Sequence, residues 1–510
     1  MKIILWILTV ILFILCLQVN VLTSPGQLKD SVNFYQSIHF IYLGVFLLLS
    51  AVIYMKINRR QPAPQLARPT ATPKPGARKK EKLGLETQQP RFNRAVLCLT
   101  GILCAGFLLR TIIAVTFPGH PYDIQAFIHW SAAASRNLSG IYTDPNIPPR
   151  FTLTYPPVYL YVLGVIGNLI RFFQVNSSSV LLILLKLPAI IADMVTGYLL
   201  YRFAKKSLSL SMSLFIVWLS IFNPVTIFNS ALWGQVDSFL TLFIMIGLLL
   251  IDAGRLPWAS ALFVLALLTK PQGVFVLPVL FWELFQRKKL REFLWSGLAG
   301  LITFGLVILP FSLERGPFWI VQQFTKTAKQ FPFATVNAYN LYALLGANLK
   351  YDSGNFLRFN YYTWGFIFIL GLLGLGTYLY RNNRKRENPR NGLPFLAGLL
   401  LSAGIFVLAT RMHERYLFAA LAIALLVYIR FPDRRVLYLF AAFTVTNYLN
   451  IAKICFDAFH QNAYGPDWMV PLVSLANVLG LIYLVKIAID WTRSSTVPAQ
   501  DLKKARAVNS

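Results

Sequence analysis

The stretch LATRMHERYLF, Leu408 to Phe418, sets Arg411, His413, Glu414 and Arg415 between two apolar runs. Arg411 and Arg415 are four apart, so on a helix they face the same way, and guanidinium groups grip phosphate oxygens through paired hydrogen bonds. Internal pairing of an arginine with Glu414 is the plainer alternative. Lys270, in TKPQG, is a further cation, and with His413 these residues form a candidate phosphate-binding set. Asp123, in HPYDIQAF, is their chemical opposite. A carboxylate there, beside His120 and Tyr122, can take a proton from an incoming hydroxyl, or merely cap the helix that it opens. In SALWGQVDS, Trp233 and Gln235 suit stacking on and hydrogen bonding to a sugar ring, while Asp237 starts a helix and can be only its cap. Tyr155, Glu414, Asn337 and Asn340 complete a candidate sugar or acceptor set, although the two asparagines also read as loop-tip polarity.

These residues punctuate a chain of 510 residues that is 56% hydrophobic, with a mean hydropathy of +0.58. Its apolar runs repeatedly approach or exceed the length needed to cross a bilayer, which predicts an all-α polytopic transmembrane helical bundle of about 13–15 membrane helices. A first pair of runs, about 3–20 and 36–55, forms an N-terminal unit over 1–55. Residues 56–94, rich in Pro, Ala, Thr and basic side chains, cannot bury enough surface to fold and read as a disordered cytoplasmic linker lying against an anionic leaflet. The main membrane domain occupies 95–490, and 491–510 form a cytoplasmic tail. Within the domain, DIQAFIHWSAAASRN predicts an amphipathic interfacial helix, with Ile124, Phe127 and Ile128 on one face. Asp193, seven residues from Lys186 in an apolar run, reads as structurally paired with Lys186 or with a neighbouring helix. The four cysteines lie in or beside apolar runs without metal-like spacing and read as buried hydrophobes.

Lys and Arg outnumber Asp and Glu 48 to 19. The excess falls mostly in short loops between apolar runs, which is the signature of membrane topology rather than of a nucleic-acid partner. Counting every run as a crossing places the clusters at 287–291 and 381–390 outside, against that rule. The conflict disappears if YPPVYLYVLGVIGNLIRFF, with its Pro156-Pro157 opening and internal glycines, does not span. All the basic clusters then lie inside, and HPYDIQAF, SALWGQVDS, TKPQG, the 314–362 segment and RMHERY share the extracytoplasmic face. Polar groups at membrane depth persist where they pair or line a cavity, so one shared cavity is expected. The same runs predict short helices on either side of Lys270, which would sink it below the surface.

In this order, HPYDIQAF, TYPPVYLY, NPVTIFNSALWGQVDS, LALLTKPQG, TVNAYNLYALLG and MHERYLF resemble the GT-C superfamily of integral-membrane glycosyltransferases. More narrowly, they resemble the bacterial relatives of the mannosyltransferase that adds the second mannose of GPI anchors, over roughly residues 95–450. The resemblance implies a polyprenyl-phosphate-linked sugar donor, an active site facing the extracytoplasmic side of the cell (inner) membrane, and an inverting transfer with one catalytic carboxylate, for which Asp123 is the matching residue. The product would be a hexose, mannose being the candidate, on a lipid or glycan acceptor. Many members carry a paired acidic motif in that loop where this chain has Asp123 alone, so metal dependence stays open; the sequence shows no required cofactor. A transporter or flippase of a lipid-linked saccharide is the alternative, although no repeated halves are evident.

Overall fold

The computed structural model describes residues 25–59, 89–316, 318–385, 392–460 and 468–493. The expected helix over 3–20, the linker between 60 and 88, and the tail beyond 493 lie outside the described residues. Helices α1 (Pro25–Arg59) and α2 (Gln89–Thr116) run further towards each other in sequence than the apolar runs alone imply. There follow α3 (Pro121–Arg136), α4 (Pro157–Phe172), α5 (Ser178–Ala204), α6 (Leu210–Ile221) and α7 (Pro224–Ile227), the last continuing into a π-helical turn over Phe228–Trp233. Next come α8 (Asp237–Asp252), α9 (Leu256–Thr269), a 3-10 turn over Pro271–Val276, α10 (Leu277–Arg287) and α11 (Leu290–Arg315). The chain ends through α12 (Trp319–Lys329), α13 (Leu341–Leu344), α14 (Tyr361–Arg384), α15 (Leu393–Leu408), α16 (Phe418–Arg430), α17 (Arg434–His460) and α18 (Met469–Arg493). The described strands are a two-residue antiparallel hairpin, β1 (Asn355–Phe356) with β2 (Phe359–Asn360).

The molecule is a multi-pass membrane protein. Among the described residues seven helices are long and apolar enough to cross a bilayer, or eight if the bent pair of α6 with Pro224–Trp233 is one span. Four other apolar helices, α4, α9, α15 and α16, have 10–17 residues, less than the ~20 that a helix needs to cross the hydrocarbon core. Several runs that the sequence counts as crossings are therefore short helices. Each has one end at a polar motif: α4 begins after Tyr155, α9 ends at Lys270, α15 ends before Arg411 and α16 begins after Arg415. Stopping short leaves room for ionisable groups within the thickness of the bundle. The far ends of α5, α10, α14 and α16 carry Arg202, Arg287, Arg381 with Arg384, and Arg430.

Among the described residues the interior consists of two large apolar clusters and a small third one of Ala334, Tyr342, Ala347 and Tyr361. The largest joins the helices of the bundle and includes Phe117 and Trp233. The second packs α3 and α4 with the ends of α11 and α12, through Ile124, Trp130, Phe311 and Trp319, and also takes in Val236 and Leu268. The polar motifs lie along the seam between these two clusters. The 314–362 region is fastened to the MHERY loop by backbone pairing of Val336 and Asn337 with His413.

Candidate active site

The site begins with two interlocked loops. Lys186, wholly buried in α5, donates to the carbonyls of Ala114 (3.1 Å) and Phe117 (2.6 Å) and so closes the end of α2. The chain then turns through Gly119 (φ 85°), and His120 N donates to Trp233 O at 2.9 Å. Gly234 has φ 84°, and a Cβ there would stand 2.6 Å from Ile124 Cδ1. Only glycine suits both the left-handed backbone and this approach. Lys186 thus bonds the α2 end and not Asp193; Asp193 is instead held by Arg110 of a neighbouring helix at 2.9 Å and by Ser230 at 2.7 Å.

His120 caps α3, its Nδ1 accepting from Asp123 N at 3.4 Å. Asp123 is therefore not the cap of its helix, and its carboxylate turns elsewhere. Oδ2 accepts from Trp233 Nε1 and Gln235 Nε2, both at 2.7 Å, while His120 Nδ1 stands 3.7 Å away. Oδ1 has no hydrogen-bond partner among the described residues, and the side chain is 15% exposed. Because Nδ1 of His120 accepts a backbone N–H, the neutral ring carries its proton on Nε2.

Beneath this carboxylate lies a buried charge cluster. Lys270 donates to Asp237 Oδ1 (2.6 Å) and Gln235 Oε1 (2.9 Å), and lies over the Tyr155 ring at 5.3 Å. Tyr155 OH donates to the same Gln235 oxygen at 3.0 Å, and Asn229 Nδ2 donates to Asp237 Oδ2 at 3.0 Å. Asp237 thus serves its neighbours and not its own helix, whose cap is Val236. Lys270, Gln235 and Trp233 are buried. The Trp233 indole stacks on His120 (4.6 Å, 8°) and carries the Arg415 guanidinium 5.4 Å from its centre, so its faces are already engaged by protein groups.

The MHERY loop is not helical, and Arg411 is left-handed (φ 62°). Arg411 and Arg415 consequently do not share a face. Arg411 binds Asp352 (2.6 Å) and Ala328 O (2.8 Å) and lies over Tyr362, fastening the loop to the 314–362 region. Arg415 turns to the cluster: Nη1 donates to Glu414, and Nε stands 3.8 Å from Asp237 Oδ2 without a hydrogen-bond partner among the described residues. His413 packs edge-on to Phe331 and lies 3.9 Å from Glu414. Asn337 exchanges hydrogen bonds with Asn348, and its carbonyl accepts from Asn450, while Asn340 caps α13 and donates to Phe406 O. These two asparagines brace the loop rather than line the opening.

The side chains of His120, Asp123, His413 and Arg415 are all 14–15% exposed, against 3–6% for Lys270, Glu414 and Asp237. The first four are the partly exposed members of the cluster and the others its buried support. Electrostatics follow this division. Burial alone pushes the Asp123 carboxyl upward, but His120, Arg415 and the hydrogen bonds from Trp233 and Gln235 outweigh it and hold its pKa at about 2. Burial also lowers His120, with Asp123 opposing and Arg415 assisting. His413 is pushed down to about 3, by burial first and then by Arg415 and Lys270 against the pull of Asp123. Glu414 is raised by burial, with Arg415 opposing. Among the described residues no three of His, Cys, Asp or Glu come together as metal ligands.

Several contributors have roles that the sequence did not show. His120 had a visible signal, because His-x-x-Asp places a side-chain acceptor three residues before the amide that it caps. Asn229 had none, since its approach to Asp237 depends on the π-helical turn. Lys186 acts on backbone carbonyls, which sequence does not display.

Residues 153–410 match the family model of glycosyltransferase family 87. The match contains Tyr155, Trp233, Gln235, Asp237, Lys270, Asn337 and Asn340; Asp123 precedes it and the MHERY loop follows at once. No curated protein matches the chain.

Proposed function

The chain belongs to glycosyltransferase family 87, and from that premise we propose that it transfers a hexose, mannose being the candidate, from a polyprenyl-phosphate donor to a lipid or glycan acceptor on the extracytoplasmic side of the cell membrane, with inversion. The observation that carries this reading is the placement of Asp123 and Arg415 around one side chain, Trp233, which donates to the carboxylate and carries the guanidinium over its ring. Asp123 Oδ1 is the base: it takes the proton of the acceptor hydroxyl as that oxygen attacks the anomeric carbon. The bond from the anomeric carbon to the phosphate oxygen breaks, and the phosphate leaves with the electron pair. Arg415 stabilises the growing charge on the leaving phosphate, and His413, neutral, donates one N–H to it. Lys270, Asp237 and Gln235 hold the framework in place; Glu414 orients Arg415. Arg411 acts from further out by fixing the loop.

A carboxyl with a pKa near 2 is a weak base. It is nevertheless fully ionised at neutral pH, and a donor bound against it displaces water and raises the basicity of Oδ1. The extracytoplasmic assignment rests on the positive-inside rule, because the basic clusters lie at the helix ends remote from the site. The test is direct: purified protein is incubated with radiolabelled polyprenyl-phosphate hexoses, and both sugar release and transfer are followed. Turnover of none of the lipid donors, with turnover of a nucleotide sugar instead, refutes the reading.

A further inference from the structure

Lined by none of the candidate site residues, a lateral cavity of 490 Å³ lies between α1, α6 and α17. Its walls include Phe46, Ala51 and Tyr54 of α1, Phe215 of α6, and Leu437 of α17, with Arg434 at one end. α1 lies before both the family match and the stretch that carries the sequence resemblance, so the catalytic reading leaves it without a purpose. The segments Ile41–Asn58 and Arg434–Phe459 are both candidate membrane spans, which places an opening between them in the hydrocarbon layer. Water does not fill such a space, whereas an acyl chain does.

The end of the cavity is marked by charge. Arg434 is exposed and makes no hydrogen bond or ion pair with a described residue. Its neighbour Asp433 is engaged by Arg435, and Arg435 also binds Asp490. None of the cavity's described lining residues is acidic, and Asn58 lines the same cavity on α1. Arg430, at the end of the preceding helix, is already paired with Asp252. A guanidinium left open beside an apolar cleft matches one chemistry: a phosphate carrying hydrocarbon chains.

We propose that this cavity is a binding site for one anionic phospholipid, with its phosphate on Arg434 and an acyl chain between α1 and α17. The site lies at the end of the bundle that carries the basic helix termini, and it joins the N-terminal helix to the catalytic bundle through lipid. It is independent of the reading of the active site. The experiment is native mass spectrometry of the full chain in detergent, titrated with phosphatidylglycerol and with phosphatidylcholine of the same chains. The wild type is expected to retain one phosphatidylglycerol at least about tenfold more strongly than phosphatidylcholine, whose phosphate has its charge offset by the lipid's own trimethylammonium group and so is held less strongly by Arg434. R434Q should remove the preference. A51W, which fills the cleft and leaves Arg434 in place, should abolish retention of both lipids; L437W fills it from the opposite wall should A51W fail to fold. Millimolar inorganic phosphate should not displace the lipid. Equal retention of the two lipids by the wild type, undiminished retention in R434Q and in a cavity-filling variant, or displacement by free phosphate overturns the proposal.

Discussion

The indole nitrogen of Trp233 donates to Asp123 Oδ2 at 2.7 Å, and Gln235 shares that oxygen at the same distance. The bonds fix which carboxylate oxygen is spent inside the protein and leave the other without a described partner. Through the ring of Trp233 the same contact extends to Arg415, so the proposed base and the proposed phosphate contact are held by one buried side chain.

Asp123→Asn keeps an acceptor at Oδ1 but cannot take a proton. Removal of a general base typically costs about 100- to 10,000-fold, and transfer by D123N should fall within that range. The helix start rests on the His120 cap and not on the carboxylate, so D123N should still fold, with a thermal unfolding midpoint in detergent lowered only by the loss of the charged hydrogen bonds from Trp233 and Gln235. Normal transfer by D123N would remove Asp123 as the base.

Trp233→Phe deletes one hydrogen bond to the carboxylate and keeps most of the ring. The sign is set by the depressed pKa: Asp123 is ionised above about 2 and loses its charge only as the pH falls through that value. Its contribution to stability is therefore fully present above the ordinary 3.8 and is lost between 3.8 and about 2. Loss of one charged hydrogen bond should raise the carboxyl pKa by roughly one pH unit. Acid unfolding of W233F should begin at correspondingly higher pH, which a pH titration of tryptophan-independent circular dichroism will read.

Arg415→Lys retains charge but loses the planar fork. Lysine serves phosphate as a point charge only, so the apparent KM for the lipid donor should rise roughly tenfold while that for the acceptor changes little. An unchanged donor KM argues against contact with the phosphate. Arg411→Lys, in contrast, should act on stability through Asp352 and leave the donor KM alone.

Lys270→Met strands Asp237 in the buried cluster. Breaking a buried pair from one side typically costs about 3–5 kcal/mol, and the unfolding midpoint should drop accordingly. The double variant K270M/D237L should recover part of that loss, because no lone charge remains; a double variant that falls by the sum of both single losses contradicts the pairing.

Much of this arrangement was legible in the sequence, and the exceptions have physical causes. The bundle is visible because apolar length reports on bilayer thickness directly. Asp123 stands out because an aqueous carboxylate beside His120 and Tyr122 is rare in so apolar a chain. The sunken position of Lys270 follows from the short helix before it. The separation of Arg411 from Arg415 was hidden, since it depends on one left-handed residue and on Asp352, 59 positions earlier. The engagement of Trp233 was hidden too. An indole beside a glutamine suits a sugar, but this one is covered by His120 and Arg415, both distant in sequence.

The most direct measurement follows single turnover and donor binding together, using radiolabelled polyprenyl-phosphate mannose with wild type, D123N and R415K. The account predicts that the wild type transfers the sugar, that D123N binds the donor as tightly as the wild type without transferring it, and that R415K binds it more weakly. Transfer by D123N at the wild-type rate, or weakened donor binding in D123N with none in R415K, would contradict it.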